Sequence, residues 1–487
     1  MKPIINRPFY PFLLVIFFFL HALLENYNPV LIKTAGWLIV VYSIATIILL
    51  VLFKLLLKDW RKAALPAFSL MAFNFFFGSI YDLLKKNFHD AFITKLSFIL
   101  ALTLILLVIL FIYLKRTDRK LLRTTHYLNL LFILLIVLDA GALLAKSFKG
   151  KKQPVADLSK TFTECDTCAR PDIYLIITDE YAGNTELKEL FAFDNSAFEN
   201  ELKTRGFHII NNSVSNYNAT VYSMASILNM DHISHLNRPS LVNHKDMLLC
   251  RGLIQNNNLA GFLKKNGYTI YNYSFFDMGG KTKAVNNLYF SSNKLLLTGQ
   301  TFIRRMIRNA GARFASKEKI DAIKKNDLYN DIRVDSLTRQ VVLQKNSSPK
   351  FVYTHLNMPH PPYFYDSSGR EISTSDLTDE SAMKKNGYIE YLHYTNRKLL
   401  SLVDFIKKNS VSPPVILLLG DHGFRQLPAG TDQKYYFMNL NSVYFPNGNY
   451  TGFYDGLSTV NQFRIILNTL FAQKLSLVKD STSFLKE

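Results

Sequence analysis

Three apolar runs of this chain end in groups that bind cations. "DIYLIITDEY", residues 172–181, closes on Asp179 and Glu180. "KFVYTHL" closes at His355, with His360 just beyond it, and "PPVILLLGDHGF", residues 413–424, closes on Asp421 and His422. Open α/β sheets bind their ligands at the carboxyl ends of strands, so three such ends converging on Asp, His and Asp-His point to a metal site. The donors are carboxylate oxygens and imidazoles without a thiolate. That set suits Zn²⁺ or Mn²⁺, with Mg²⁺ or Ca²⁺ as the alternatives. A hydroxyl beside such an ion can lose its proton near neutral pH and act as a nucleophile. The candidate is Thr220, where "SVSNY" gives way to the helical spacing of "NATVYSMASIL". A helix start there would also stabilise an incoming phosphate or sulfate oxyanion. Thr220 can equally be read as a helix N-cap, a common role for threonine.

These strand ends need a sheet to hold them. From about Pro154 short β-rich runs alternate with amphipathic helical ones, the grammar of a soluble α/β domain. The apolar run in "DIYLIITDEY", residues 172–181, reads as a strand of a parallel sheet covered on both faces. "NSAFENELKTRGF" reads as a helix closed by Gly206, "NNNLAGFLKKNGYTIYNYS" repeats helix, glycine, strand, and a long helix is expected over about Tyr388–Lys408. "YYFMNLNSVYFP" reads as paired strands.

The first third of the 487 residues has another character. Residues 1–152 carry 19 Lys and Arg against 6 Asp and Glu, +13 of the chain's net +20. Five apolar blocks run approximately over Phe9–Leu24, Ala35–Leu57, Ala63–Leu84, Phe92–Leu114 and Tyr127–Ala145, near the 20 residues needed to cross a bilayer. The first lacks a small-residue cleavage pattern and reads as a retained anchor. Lys58, Arg61 and Lys62, then Lys115, Arg116, Arg119, Lys120 and Arg123, make the second and fourth loops basic, hence cytoplasmic, although Lys85, Lys86 and "KSFKGKK" oppose the bias. Everything after Lys146 then lies outside the cytoplasm. Asn74 and Asp139 are polar groups inside spans and read as interhelical hydrogen-bonding sites rather than a lipid entry path. The domains expected are 1–150 with five spans, a linker over 151–170, and a catalytic domain over 171–487.

The runs "PDIYLIITDEY", "NYNATVYSMASILNM", "THLNMPHPPYFYD", "GDHG" and "LSTVNQFRIILN", in that order, resemble the alkaline phosphatase and sulfatase superfamily. The likeness is to its membrane-anchored branch, which includes lipoteichoic acid synthases and phosphoethanolamine transferases. The resemblance implies five transmembrane helices ahead of an extracytoplasmic α/β/α sulfatase-like domain with a mostly parallel sheet, in a multi-pass protein of the cell (inner) membrane. It implies that Asp179, Asp421 and His422 bind a divalent metal, that Thr220 is the metal-bound nucleophile, and that His360 contacts the oxyanion or protonates the leaving group, assisted by His355. Glu180 stands where sulfatases carry a further acidic metal ligand. The implied reaction moves a phosphoethanolamine- or phosphoglycerol-type head group from a membrane phospholipid to Thr220, then to an envelope glycan or lipid acceptor. "NATVYSM" lacks the proline and arginine of the C/S-x-P-x-R signature, which argues against formylglycine chemistry, and no histidine follows Gly423 to complete a second metal site.

Cys165 and Cys168 form a C-x-x-C pair that an oxidising compartment would close into a local disulfide or leave as two idle thiols, and Cys250 reads as a buried lone thiol. No basic stripe interleaved with aromatics marks a nucleic-acid surface; juxtamembrane lysines fit anionic lipid better. Three functions remain: the transferase, a sulfatase or phosphodiesterase acting on the same face, and an inactive structural or sensing relative.

Overall fold

The computed structural model describes the chain except at residues 1–5, 26–29, 89–90, 118–120, 149–154, 237–239, 243, 286–296, 308–316, 374, 378–384 and 487. It divides into two compact units, one of Met1–Lys151 with Tyr289–Ser316, the other of Lys152–Leu288 with Lys317–Glu487.

The first unit holds α1 (Tyr10–Glu25), α2 (Val30–Leu57), α3 (Trp60–Phe88), α4 (Leu96–Arg116) and α5 (Leu122–Phe148). The chain folds as helix here because in lipid only internal hydrogen bonds can satisfy the backbone. Helices α2 to α5 are long and apolar enough to cross a membrane. α1, at 16 residues, is shorter than a full span and supplies the centre of the bundle instead: Tyr10, Leu14, Val15 and Phe19 are buried against the neighbouring helices. α4 is the opposite case, apolar all round with only Leu114 buried, the pattern of a lipid-facing helix.

Both polar residues expected inside the spans have partners. Asp139 Oδ2 lies 3.0 Å from His21 Nδ1, joining α5 to α1. Asn74 meets a segment from mid-chain: the Ile303 N–H donates to its Oδ1 at 3.2 Å. That segment, residues 297–307, crosses α3 at Gly78, whose N–H donates to the Gln300 carbonyl at 2.8 Å. A Cβ at Gly78 would stand 2.5 Å from the same carbonyl oxygen, so glycine is required for the approach. Arg305 then pairs with both oxygens of Asp82, and Phe302 packs on Phe73 and Phe77.

The second unit runs β1 (Ile173–Thr178), α6 (Asn184–Phe191), α7 (Ser196–Thr204), β2 (His208–Ile209), α8 (Thr220–Asn229), β3 (Ser240–Leu241), α9 (His244–Gln255), α10 (Asn258–Lys265), β4 (Thr269–Tyr273), α11 (Lys317–Leu343), β5 (Lys350–Leu356), α12 (Lys385–Asn409), β6 (Val415–Gly420), β7 (Asn441–Tyr444), α13 (Gln462–Phe471) and β8 (Leu485–Lys486). Six strands form one sheet in the order β2-β7-β6-β1-β5-β4, and β3 pairs with β8 apart from it. β1, β4, β5 and β6 are mutually parallel, while β7 runs antiparallel to β6 and β2. Every residue of β1, β5 and β6 is buried, as the unbroken apolar runs of β1 and β6 require of central parallel strands.

Two stretches whose sequence reads as strand, "HIINNSVSNY" and "YYFMNLNSVYFP", come out differently. Of "HIINNSVSNY" only His208–Ile209 joins the sheet, and the rest is irregular chain whose Ser213, Ser215 and Asn216 are buried. In "YYFMNLNSVYFP" the first half makes a 3₁₀ turn, Gln433–Phe437, and only Asn441–Tyr444 is a strand, paired with β6 and β2 rather than with the first half of the run. Cys165 and Cys168 form the disulfide, and Cys250 is a buried free thiol whose proton affinity burial raises.

Candidate metal centre

Parallel register sets the geometry. Thr178 at the end of β1 lies level with Gly420 at the end of β6, so the next residue on each strand, Asp179 and Asp421, emerges side by side about one strand spacing apart. His422 follows directly. Its Nδ1 lies 2.8 Å from the Gly423 carbonyl oxygen, an acceptor that calls for the proton on Nδ1 and leaves Nε2 bare. That Nε2 is 3.4 Å from Asp421 Oδ2 and 3.7 Å from Asp179 Oδ1. Asp179, Asp421 and His422, all buried, can place their donor atoms within 4.8 Å of one another.

Thr220 joins them. It is the first residue of α8, and the N-cap position belongs to Ala219, which has no capping side chain. The threonine hydroxyl is therefore free of that duty. Its Oγ1 lies 3.3 Å from Asp179 Oδ1 and 3.3 Å from His422 Nε2.

Electrostatics say what this group would bind. Burial, then the charges of Asp421 and Glu180, push Asp179 well above the ordinary carboxylate range. Asp421 Oδ1 accepts from the backbone N–H of Glu180 (2.9 Å) and of His422 (3.0 Å), but Oδ2 is buried with no hydrogen-bond partner among the described residues. Facing carboxylates, a bare imidazole nitrogen and an orphaned carboxylate oxygen suit a divalent cation, whose charge would invert the proton affinities just described.

Glu180, the fourth expected ligand, is not brought into this group. It takes a left-handed backbone (φ 62°), rare for a residue with a side chain. Its carboxylate accepts from the Arg425 N–H at 2.5 Å and from Gln426 Nε2 at 3.3 Å. Burial raises it to about 8. The Tyr388 hydroxyl braces the turn, donating to the Glu180 carbonyl and accepting from the Ala182 N–H.

His360 and His355 flank the centre. The close Pro361 carbonyl calls for the proton on His360 Nδ1, which leaves Nε2 unprotonated, 3.9 Å from Glu180 Oε2. Burial lowers its pKa to about 4, so the ring is neutral at pH 7. His355 is likewise lowered to about 4. Its Nδ1 bonds the Tyr353 hydroxyl at 2.6 Å, Phe275 packs on its ring, and Nε2 has no partner among the described residues.

Glu186 went unnoticed in the sequence, where it is one acid in the first turn of an ordinary amphipathic helix. It is fully buried under the Asp-His-Gly turn, accepting from the Phe424 N–H at 3.2 Å, with its affinity for a proton raised by burial. Gly423 makes this fit: a Cβ there would lie 2.1 Å from the Tyr435 carbonyl oxygen and 2.8 Å from Glu186 Oε2.

The sulfatase family profile matches residues 172–463, a span that contains every residue of this centre. Among the curated proteins none matches. Solved structures similar to the chain include the periplasmic domain of EptC from Escherichia coli (13% identity, 65% of this chain and 84% of that one, TM-score 0.38) and a putative sulfatase, YidJ, from Bacteroides fragilis (13%, 65% and 77%, 0.42). The phosphonate monoester hydrolase of Agrobacterium radiobacter is similar at 12% identity, over 62% of this chain and 74% of that one, TM-score 0.38. The chain belongs to the sulfatase family, within the alkaline phosphatase and sulfatase superfamily.

Proposed function

We propose that this sulfatase-family protein is a membrane-anchored phosphotransferase that carries a phosphoethanolamine- or phosphoglycerol-type head group from a phospholipid, through Thr220, to a hydroxyl of an envelope glycan or lipid. The observation that carries the reading is the Thr220 hydroxyl, 3.3 Å from both Asp179 and His422 at the start of a helix. A threonine is a direct phosphoryl acceptor; formylglycine chemistry starts from Cys or Ser. The four membrane-length helices keep the domain at a bilayer, where the donor resides, on the extracytoplasmic face by the basic loops.

Asp179, Asp421 and His422 would hold the cation, Zn²⁺ or Mn²⁺ by donor type. A divalent ion there supplies charge that lowers the proton affinity of a neighbouring hydroxyl and offsets the charge of the transferring phosphoryl group. Asp179 Oδ1 holds the hydroxyl proton of Thr220 and so aims the oxygen's lone pairs away from itself. The N-terminus of α8 favours the anionic phosphoryl oxygens. In the first displacement the Thr220 Oγ–P bond forms as the P–O bond to diacylglycerol breaks, and the proton lost by Thr220 ends on the diacylglycerol oxygen; in the second an acceptor hydroxyl displaces Thr220, and the acceptor's proton returns to the threonine oxygen. His360, a neutral imidazole with its proton on Nδ1, suits taking the proton of the acceptor hydroxyl at Nε2.

Peptide mass spectrometry of the full chain after incubation with phospholipid and Mn²⁺ or Zn²⁺ tests the reading. A head-group phosphate adduct on the Thr220 peptide is expected. Faster turnover of an aryl sulfate than of any phosphodiester would replace transfer with the sulfatase reading.

A further inference from the structure

The first unit holds a groove of about 370 Å³ between α3 and α4, walled by Phe73, Phe77 and Tyr81 on one side and Phe98, Leu102 and Leu106 on the other. Thr103, a polar side chain on its wall, already donates to the Ile99 carbonyl at 2.8 Å, so it offers water little. The α3 residues along the wall run from 73 to 84, roughly 17 Å at the helical rise. That is close to one leaflet of a hydrocarbon core about 30 Å thick.

Charge marks one end. Where α3 and α4 approach their connection, Lys85 lies 4.9 Å over the Tyr81 ring and Lys95 lies 5.7 Å over the Phe92 ring. Both lysines are exposed, and neither has an acidic partner among the described residues, since the nearby Asp82 is paired with Arg305. An apolar trough one leaflet long, capped by two cations, matches a molecule with a hydrocarbon tail and an anionic head.

We propose that the α3–α4 groove binds a glycerophospholipid, one acyl chain lying along the aromatic wall and the phosphate between Lys85 and Lys95. The site stands whether or not Thr220 is a nucleophile, and its test reads binding rather than turnover. The full chain is exchanged into nanodiscs or detergent containing phosphatidylglycerol and examined by native mass spectrometry. One tightly retained lipid per chain is expected. Leu102→Trp, which fills the groove, should abolish it, and Lys85→Gln with Lys95→Gln should weaken retention roughly 30-fold, at about 1 kcal/mol per lysine. Ile48→Trp, on the exposed face of α2, should leave it unchanged. If Leu102→Trp fails to fold, the lysine pair, on the exposed rim, decides alone. Wild-type retention in the lysine variant overturns the proposal. So does a lipid-free wild type whose dimer Leu102→Trp dissociates, which would make the groove a contact between copies.

Discussion

Asp179 and Glu180 are consecutive carboxylic acids, both buried, yet they sit in opposite surroundings. The Glu180 carboxylate has donors built for it, the Arg425 N–H and the Gln426 amide. Among the described residues Asp179 has only the Thr220 hydroxyl as a donor, and it faces a second carboxylate and a deprotonated imidazole nitrogen. A buried carboxylate with its own N–H donors is satisfied within the protein; one that faces acceptors needs a cation or a proton. For this neighbouring pair, hydrogen-bond supply separates the proposed metal ligand Asp179 from Glu180, where residue type and burial cannot.

The largest effect should come from the hydroxyl at the edge of the cation-seeking group. Thr220→Ala should lower phosphoryl transfer roughly 10³-fold or more, with an unchanged circular dichroism spectrum and metal content; full turnover in this variant would remove the nucleophile assignment. Asp421→Asn comes next. Metal analysis should show the bound ion gone and activity falling with it, while the metal-free melting temperature holds or rises, because one of two facing acids has been neutralised. A lower melting temperature would mean that the loss was misfolding.

Stability against pH compares the two carboxylates in one titration. Glu180 titrates near 8 in the fold against an ordinary 4.5, and Asp179 is raised with it, so the folded protein binds more protons and loses stability as pH rises toward 8. His355 and His360, held near 4 against 6.5, act in the opposite sense but only below about pH 6.5. Between pH 6.5 and 8 the metal-free melting temperature should therefore fall, and added Zn²⁺ should recover more of it at pH 8 than at 6.5. A rising curve would contradict the carboxylate assignment. Glu180→Gln should have the smallest consequence: unchanged metal stoichiometry, activity within roughly tenfold, and a flatter pH curve. Loss of the metal in this variant would erase the distinction between neighbours.

The membrane helices show the same logic in a different solvent. Asp139 and Asn74, placed where lipid offers no hydrogen bonds, are met by His21 and by the backbone of Ile303. Reading them as interhelical contacts was sound for Asp139. For Asn74 the partner comes from residues 297–307, more than two hundred positions away and without any local pattern that announces it.

What the amino-acid order determined by itself is whatever a short window can enforce. Continuous apolar runs commit β1 and β6 to the buried centre of a sheet, long apolar blocks commit α2 to α5 to membrane length, and groups placed after a strand must emerge at its carboxyl end. Asp179, Asp421 and His422 were legible on those grounds, and Thr220 from the helical spacing that begins at it, although the strand expected before it is irregular chain. Only the tertiary structure decided which of them meet. The level register of β1 and β6 sets Asp179 beside Asp421, and a left-handed turn at Glu180 sends that acid to the donors of the loop after β6. Packing buries Glu186 beneath Gly423. Each outcome depends on partners some 240 residues distant, and hydrogen-bond supply at that range has no periodicity for a sequence to display.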